Sequence, residues 1–317
     1  MPHSCLIIGL GQIGFEYDLH DENGILSHSK AFHLHPAFEI FGAVENNANK
    51  RMLFAEIYKK PTFASIKEAL TNFKPDLIII SVPTHLHIQI LSEVLDLCKP
   101  KLVLCEKPLS NSLEESIEIV EKCKRKGVDL IVNYIRRSDP AVIEIKNRIE
   151  SGMIKNPLKA HVWYSNGLFN NCSHFINLIQ YWFGNFESGK VIRQGRKLQS
   201  GDIEPDLYMK FEKGTAILSS CWEESFSHYT IEILSQSGRL FYDKGGEAVY
   251  WAQAQCNAKQ KSASLNDEKI IISNEMNLYQ WNVVEQLALH LNGEKSNLCT
   301  GIDALETLKV IYKTINN

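Results

Sequence analysis

Hydrophobic positions in the first 135 residues come in short continuous runs separated by amphipathic stretches. Cys5 to Ile8, Phe38 to Val44, Asp76 to Val82, Leu102 to Cys105 and Val128 to Asn133 are each strand-sized. A run such as Leu77-Ile78-Ile79-Ile80, apolar at every position, suits a strand buried on both faces of a parallel sheet. Segments 48–59, 65–73, 85–98 and 112–126 predict helices between these runs, and the βα succession predicts a doubly wound sheet. After about residue 136 the texture changes. Strand-like segments 158–165, 206–212, 215–222, 229–235 and 238–243 are separated by turn signals such as Glu212-Lys213-Gly214 and Gln236-Ser237-Gly238. This pattern predicts a mainly antiparallel sheet. Helices predicted at 173–183, 276–292 and 301–315 would cover one face and leave the other open.

The first strand runs into Gly9-Leu10-Gly11-Gln12-Ile13-Gly14. This glycine spacing lets backbone lie against a pyrophosphate: Gly9 permits the tight turn, Gly11 leaves room for phosphate, and Gly14 allows close helix packing. A helix N-terminus there would turn amide donors and its dipole toward negative charge. The second strand ends at Glu45, placed to accept hydrogen bonds from an adenosine ribose, which favours NAD over NADP. Lys50 and Arg51 follow closely and keep a 2′-phosphate, hence NADP, in play. Glu45 lies 31 positions after Gly14, against a usual interval of about 20. Residues 16–26 lack helical periodicity and read as an inserted loop beside the cofactor's phosphates, with Ser27 as a fresh N-cap. The fold class expected is therefore α/β. Residues 1–135 form a Rossmann-type doubly wound parallel sheet, and residues 136–317 an α+β domain with a mainly antiparallel, open-faced sheet for substrate and self-association.

Composition narrows the partners. The 317 residues carry a net charge of −3 with both signs interspersed, which gives no nucleic-acid or anionic-membrane surface. The longest apolar runs are strand-sized and no leader-like segment opens the chain, so a soluble cytoplasmic protein is expected. Eight scattered cysteines without CxxC pairs suit a reducing compartment, and histidines two apart, such as His85 and His87, argue against a metal site. In a doubly wound sheet ligands bind beyond the carboxyl ends of the strands. Glu45, Pro83, Lys107 and Tyr134 stand there, and the active site is expected between the two domains.

At this level of detail the chain resembles the glucose-fructose oxidoreductase and inositol dehydrogenase (Gfo/Idh/MocA) group nearly end to end. The glycine loop, Pro83 followed by His87, the tripeptide Glu106-Lys107-Pro108, the segment Arg136-Arg137-Ser138-Asp139-Pro140 and the stretch Asn171-Cys172-Ser173-His174 with Trp182-Phe183-Gly184 carry the likeness, and Val82, where a threonine commonly precedes the proline, departs from it. The resemblance implies a hydride exchanged between a nicotinamide and a hydroxyl or keto carbon of a sugar, inositol or nucleotide sugar. It implies cofactor contacts at Gly9, Gly11, Gln12, Ile13, Gly14, Glu45, Val82, Pro83, His87, Glu106 and Lys107. Lys107 would orient the reacting oxygen and His174 would be the acid/base.

The chain departs from the family pattern where aspartates usually flank the histidine, since Asn170 and Asn177 stand there. An asparagine positions a hydroxyl but cannot take a proton. This leaves Lys107 and His174 alone, or a substrate whose own charge replaces the carboxylate. Tyr134, Arg136, Asn170 and Asn171 are the expected substrate contacts, although Arg136 and Arg137 equally suit ion pairs that fix the interdomain joint. The alternative to an enzyme is a dinucleotide-binding sugar sensor of the same fold. Pairing through the open sheet, as a homodimer or homotetramer, completes the expectation.

Overall fold

The protein, seen in a computed structural model that describes residues 1–221, 226–256 and 263–316, forms two compact units. One comprises Met1–Ser138 with Asn277–Leu305, the other Asp139–Met276 with the chain from Glu306 onward. Residue 222, the end of the predicted strand 215–222, lies outside the described residues.

In the first unit, β1 (His3–Ile8), β2 (Phe38–Val44), β3 (Thr62–Phe63), β4 (Leu77–Ile80), β5 (Leu102–Glu106) and β6 (Asp129–Asn133) make one sheet in the order β3-β2-β1-β4-β5-β6. Every neighbouring pair is parallel. Helices α1 (His28–Leu34), α2 (Ala48–Tyr58), α3 (Ile66–Asn72), α4 (His87–Leu97) and α5 (Leu113–Lys126) fill the crossovers. Side-chain caps start them where the sequence supplies Ser or Asn: Ser27, Asn47, Ser65 and Ser112 each accept an amide of the first turn. The register sets Ile8 beside Val44 and Ile80, Cys105 beside Val132 and Glu106 beside Asn133. Gly9, Glu45, Ser81, Lys107 and Tyr134 consequently leave the sheet along its carboxyl edge, where the order reverses on either side of β1.

The second unit opens with α6 (Pro140–Glu150), capped by Asp139, and contains α7 (Ser173–Phe183). Its strands are β7 (Leu158–Tyr164), β8 (Phe186–Lys197), β9 (Ile203–Phe211), β10 (Gly214–Ser220), β11 (Thr230–Ser235), β12 (Gly238–Asp243), β13 (Ala248–Cys256), β14 (Ala263–Leu265) and β15 (Ile270–Ile271). The order is β14-β13-β12-β11-β7-β10-β9-β8, with β15 on β13. Only β7 and β10 pair in parallel among these strands. The inner face of the sheet, including Val162, Tyr164, Met209 and Leu218, packs against Val142, Phe175, Ile179 and Trp182. Trp182 closes the layer by donating its indole N–H to the Val142 carbonyl at 3.1 Å.

Two helices end the chain, α8 (Tyr279–Leu291) and α9 (Gly301–Ile315). Val283, Val284 and Leu287 of α8 pack with Phe32, Leu102, Leu104 and Ile131 of the first unit. The helix predicted at 276–292 therefore exists, from Tyr279, and buries its apolar face within the first unit. From α9, Val310, Ile311 and the partly buried Ile315 join α6 and α7 in the layer on the antiparallel sheet. A single cut after residue 135 misses this return of the chain, because apolar periodicity shows that a helix has a buried face and not which sheet buries it. The sequence pattern also gives no sign of β3, α6, β8 or β13 to β15. Strand β8 has little apolar alternation and several register shifts against β9.

Candidate active site

The glycine loop is built by close approach. Gly9 sits at φ +97, and a Cβ there would lie 2.7 Å from the Ser81 carbonyl oxygen. A Cβ on Gly14 would lie 2.2 Å from the Gly9 carbonyl oxygen, so the third glycine folds the loop onto itself. Gly11 is different, since nothing lies within 4 Å of its Cβ position. The loop is thus open at the one glycine whose task is to admit a phosphate, and it fits a dinucleotide. In place of the expected helix, Gln12–Glu16 forms a five-residue π-helical turn, and α1 begins only after the insertion. The first amides of that turn have no carbonyl one turn before them, so the donors expected of Gln12 and Ile13 remain.

Glu45 bridges two amides, Leu10 N to Oε2 at 2.8 Å and Asn47 N to Oε1 at 2.9 Å. Lys50 pairs with Glu16 at 3.0 Å and donates to the Leu10 carbonyl at 3.2 Å. Arg51 donates to the Glu45 and Asn46 carbonyls at 2.7 and 2.9 Å. Both cations that kept a 2′-phosphate in play therefore have partners inside the loop and turn.

Glu106 and Lys107 end β5, and the Lys107–Pro108 peptide is cis. Glu106 Oε1 accepts from His28 Nε2 at 2.8 Å and Asn133 Nδ2 at 2.7 Å. Burial alone would raise this carboxyl, but the hydrogen bond and charge of His28, the Asn133 amide and the Lys107 ammonium hold it below the usual value. His87, expected at the cofactor, is instead buried, with Nδ1 2.9 Å from the Pro108 carbonyl and Nε2 2.9 Å from the Val82 carbonyl. A ring so enclosed has no nitrogen left for a dinucleotide. It joins the Val82-Pro83 turn to the tripeptide, and Pro83 is exposed at the rim.

Tyr134 is 6% exposed, Arg136 partly so. Arg137 takes the structural role: it donates to the Leu298 carbonyl at 3.3 Å and pairs with Asp303 at 3.4 Å. Asp139, the other partner considered for it, accepts from Ala141 N and Glu275 N at 2.9 Å each.

In the second unit His174 is buried in the first turn of α7, behind a π-helical turn at Gly167–Cys172. Asn170 is exposed, and Asn171 donates to the Tyr229 hydroxyl at 3.0 Å, which also receives Asn166 at 2.9 Å. Asn177 is buried and donates to Thr307 Oγ1 at 3.0 Å, a helix-to-helix clip rather than a substrate contact. Two carboxylates that sequence reasoning missed stand under the turn. Asp202 accepts from Phe169 N and Asn170 N at 3.1 and 3.0 Å, while fully buried Glu204 accepts from Gly167 N at 3.2 Å and pairs with Arg196 at 2.7 Å. Nothing in the local pattern marks them, because they arrive from the start of β9 and the residue before it, more than 30 residues away.

An all-parallel sheet with an open glycine loop and an acid at the end of its second strand defines a dinucleotide-binding protein. Residues 3–134 match the profile of the Gfo/Idh/MocA oxidoreductase family, described as an NAD-binding Rossmann fold. A search of curated proteins returned no match. Several solved structures share the whole fold. They include an oxidoreductase from Desulfitobacterium hafniense (17% identity, TM-score 0.81, covering 100% of this chain and 95% of that one). The WlbA dehydrogenase of Bordetella pertussis, in complex with NADH and UDP-GlcNAcA, is 15% identical with TM-score 0.76 and covers 99% of this chain and 95% of its own. A 3-ketoreductase variant from Actinomadura kijaniata, with TDP-benzene and NADP, is 16% identical with TM-score 0.75 and covers 99% and 97%.

Proposed function

We propose that the protein exchanges a hydride between a nicotinamide and a hydroxyl or keto carbon of a sugar-like substrate, with a sugar, inositol or nucleotide sugar as the class. The observation that carries this reading is the pairing of the open glycine loop with Glu106-Lys107-Pro108 at the same sheet edge. Bound nicotinamide would supply or accept the hydride. Lys107 donates a hydrogen bond to the reacting oxygen, and His174 takes the hydroxyl proton in oxidation and returns it in reduction. Tyr134, Arg136, Asn170 and Asn171 hold the substrate's remaining polar groups. That similar folds bind UDP-GlcNAcA and TDP-benzene supports a nucleotide-linked sugar within this class.

NAD is the proposed cofactor, because Glu45 fills the ribose end with negative charge and Lys50 and Arg51 are engaged elsewhere. Cys5, Cys105 and Cys172 are buried free thiols, which suits a reducing cytoplasm. The replacement of the usual aspartate by Asn170 favours one second reading, a sensor that binds dinucleotide and sugar without turnover.

The test is calorimetric titration with NAD(H) and NADP(H), then an absorbance screen at the nicotinamide band across inositols, hexoses, uronates and nucleotide sugars. Turnover that disappears in Lys107→Ala is expected. Tight dinucleotide binding without turnover on the whole panel would replace the enzyme with the sensor.

A further inference from the structure

The long first crossover does something the glycine loop does not require. Asp18, 5% exposed, folds the insertion back, its Oδ2 accepting the Leu26 and Ser27 amides at 2.7 and 2.8 Å. Lys30 ties the same loop by donating to the Gly24 carbonyl at 2.6 Å. Ser27 then caps α1, so the first residue of that helix, fully buried His28, meets Glu106. The carboxylate receives two donors on one oxygen, and the second, Asn133, also donates to Gln280 Oε1 at 3.3 Å. Glu106 is thus held from the insertion on one side and from β6 and α8 on the other.

That grip matters because Lys107 is the next residue. A carboxylate near an ammonium favours its charged form, and each hydrogen bond the carboxylate accepts draws negative charge away from the lysine. We propose that His28 is a positioning residue for the reaction: by holding Glu106 Oε1 it fixes the carboxylate and draws its charge away from Lys107, which strengthens the ammonium as a hydrogen-bond donor to a reacting oxygen. This rests on the reading that Lys107 serves the reaction. The other titratable groups that interact with Glu106 are His87 from α4, Tyr279 from α8 and the neighbouring Cys105 thiol, and Tyr279 in turn faces Tyr17 and Asp18 from the insertion and Arg136 beyond β6.

The experiment is competitive acetylation of the whole protein across pH, with the labelling of Lys107 followed by peptide mass spectrometry. His28→Leu removes the donor, whereas His28→Gln offers an amide N–H at the place of the imidazole Nε2. Lys107 labelling at pH 8 should fall about three- to tenfold in His28→Leu, a shift of up to about one pKa unit, and return to the parent profile in His28→Gln. Glu106→Gln should speed labelling and abolish the difference between the residue 28 variants. Unchanged labelling in a folded His28→Leu, or His28→Gln behaving as the leucine variant, overturns the proposal. Should His28→Leu fail to fold, unchanged Lys107 labelling in Glu106→Gln overturns it as well. The titration needs no substrate, so a parent protein without turnover counts against the oxidoreductase reading and not against this one.

Discussion

Leu10 and Glu45 are joined across the mouth of the dinucleotide loop: the Leu10 amide donates to Glu45 Oε2 at 2.8 Å, and the other carboxylate oxygen takes the Asn47 amide at 2.9 Å. A carboxylate held at both oxygens stays at the strand end, with lone pairs left for ribose hydroxyls. Glu45→Gln keeps one acceptor but loses the charge. Hydrogen bonds to charged groups contribute about 1.5–3 kcal/mol, so NAD affinity should fall roughly ten- to a hundredfold while NADP affinity changes little. Calorimetry on parent and variant checks this, and a parent protein that prefers NADP would remove Glu45 from the selecting role.

His87 supports a stability prediction with a definite pH sign. Its two ring nitrogens face the Val82 and Pro108 carbonyls, and the neutral ring donates to one of them, so replacement by leucine leaves that acceptor without its donor. At about 1–3 kcal/mol for an unsatisfied group, the loss should be of that size, read by denaturant titration. Burial, the largest influence, lowers the His87 pKa from 6.5, against the opposing pull of the Val82 and Pro108 carbonyls and the Glu106 charge. The folded state therefore prefers the neutral ring. Its contribution is present above 6.5 and is lost as pH falls below that value toward the folded pKa. Between pH 7 and 5 the parent should lose more stability than His87→Gln; equal losses would show that the ring is not held neutral.

The parallel sheet and its glycine loop were legible because their signals are local: Ile78 to Ile80 are apolar at every position, and the three glycines occupy one turn. His28 was not legible as the partner of Glu106, since 78 residues separate them and only the closed insertion brings them together. The same distance problem hid Asp202 and Glu204. The family likeness placed His87 correctly at the strand-to-helix turn, but no one-dimensional pattern tells a histidine that touches a ligand from one enclosed by two carbonyls.

Asp202 offers a test of how the turn before α7 works. Its carboxylate holds the amides of Phe169 and Asn170 and would lie 2.2 Å from a Cβ on Gly167, which sits at φ +92. Asp202→Ala should destabilise the second unit by about 0.5–2 kcal/mol, the scale of a lost cap. It should lower kcat through misplacement of Asn170 and His174, with dinucleotide affinity unchanged. Asp202→Asn, which keeps one acceptor oxygen, should recover most of the loss. A fall in dinucleotide affinity instead would place the effect in the other unit.

The outer face of the second sheet leads to a prediction about assembly. Cross-strand register puts Trp163 opposite Ser219 and Thr230, His161 opposite Ile217 and Glu232, and Lys159 opposite Leu234. Directly opposed residues share a face, so Trp163, Ile217 and Leu234, 41%, 43% and 47% exposed, stand together on the side away from α6 and α7. Three large apolar side chains in one ridge across central strands are unusual on a surface that stays in water. Pairing of this face with a second copy, as homodimer or homotetramer, would bury them, and a shared two-fold axis would set each ridge against its own counterpart. A charge there would be doubled by symmetry. Ile217→Glu should therefore convert the assembly to monomer while leaving the far-UV spectrum and NAD binding of the first unit unchanged. Light scattering at working concentration decides it, and a parent protein that is already monomeric would rule the pairing out.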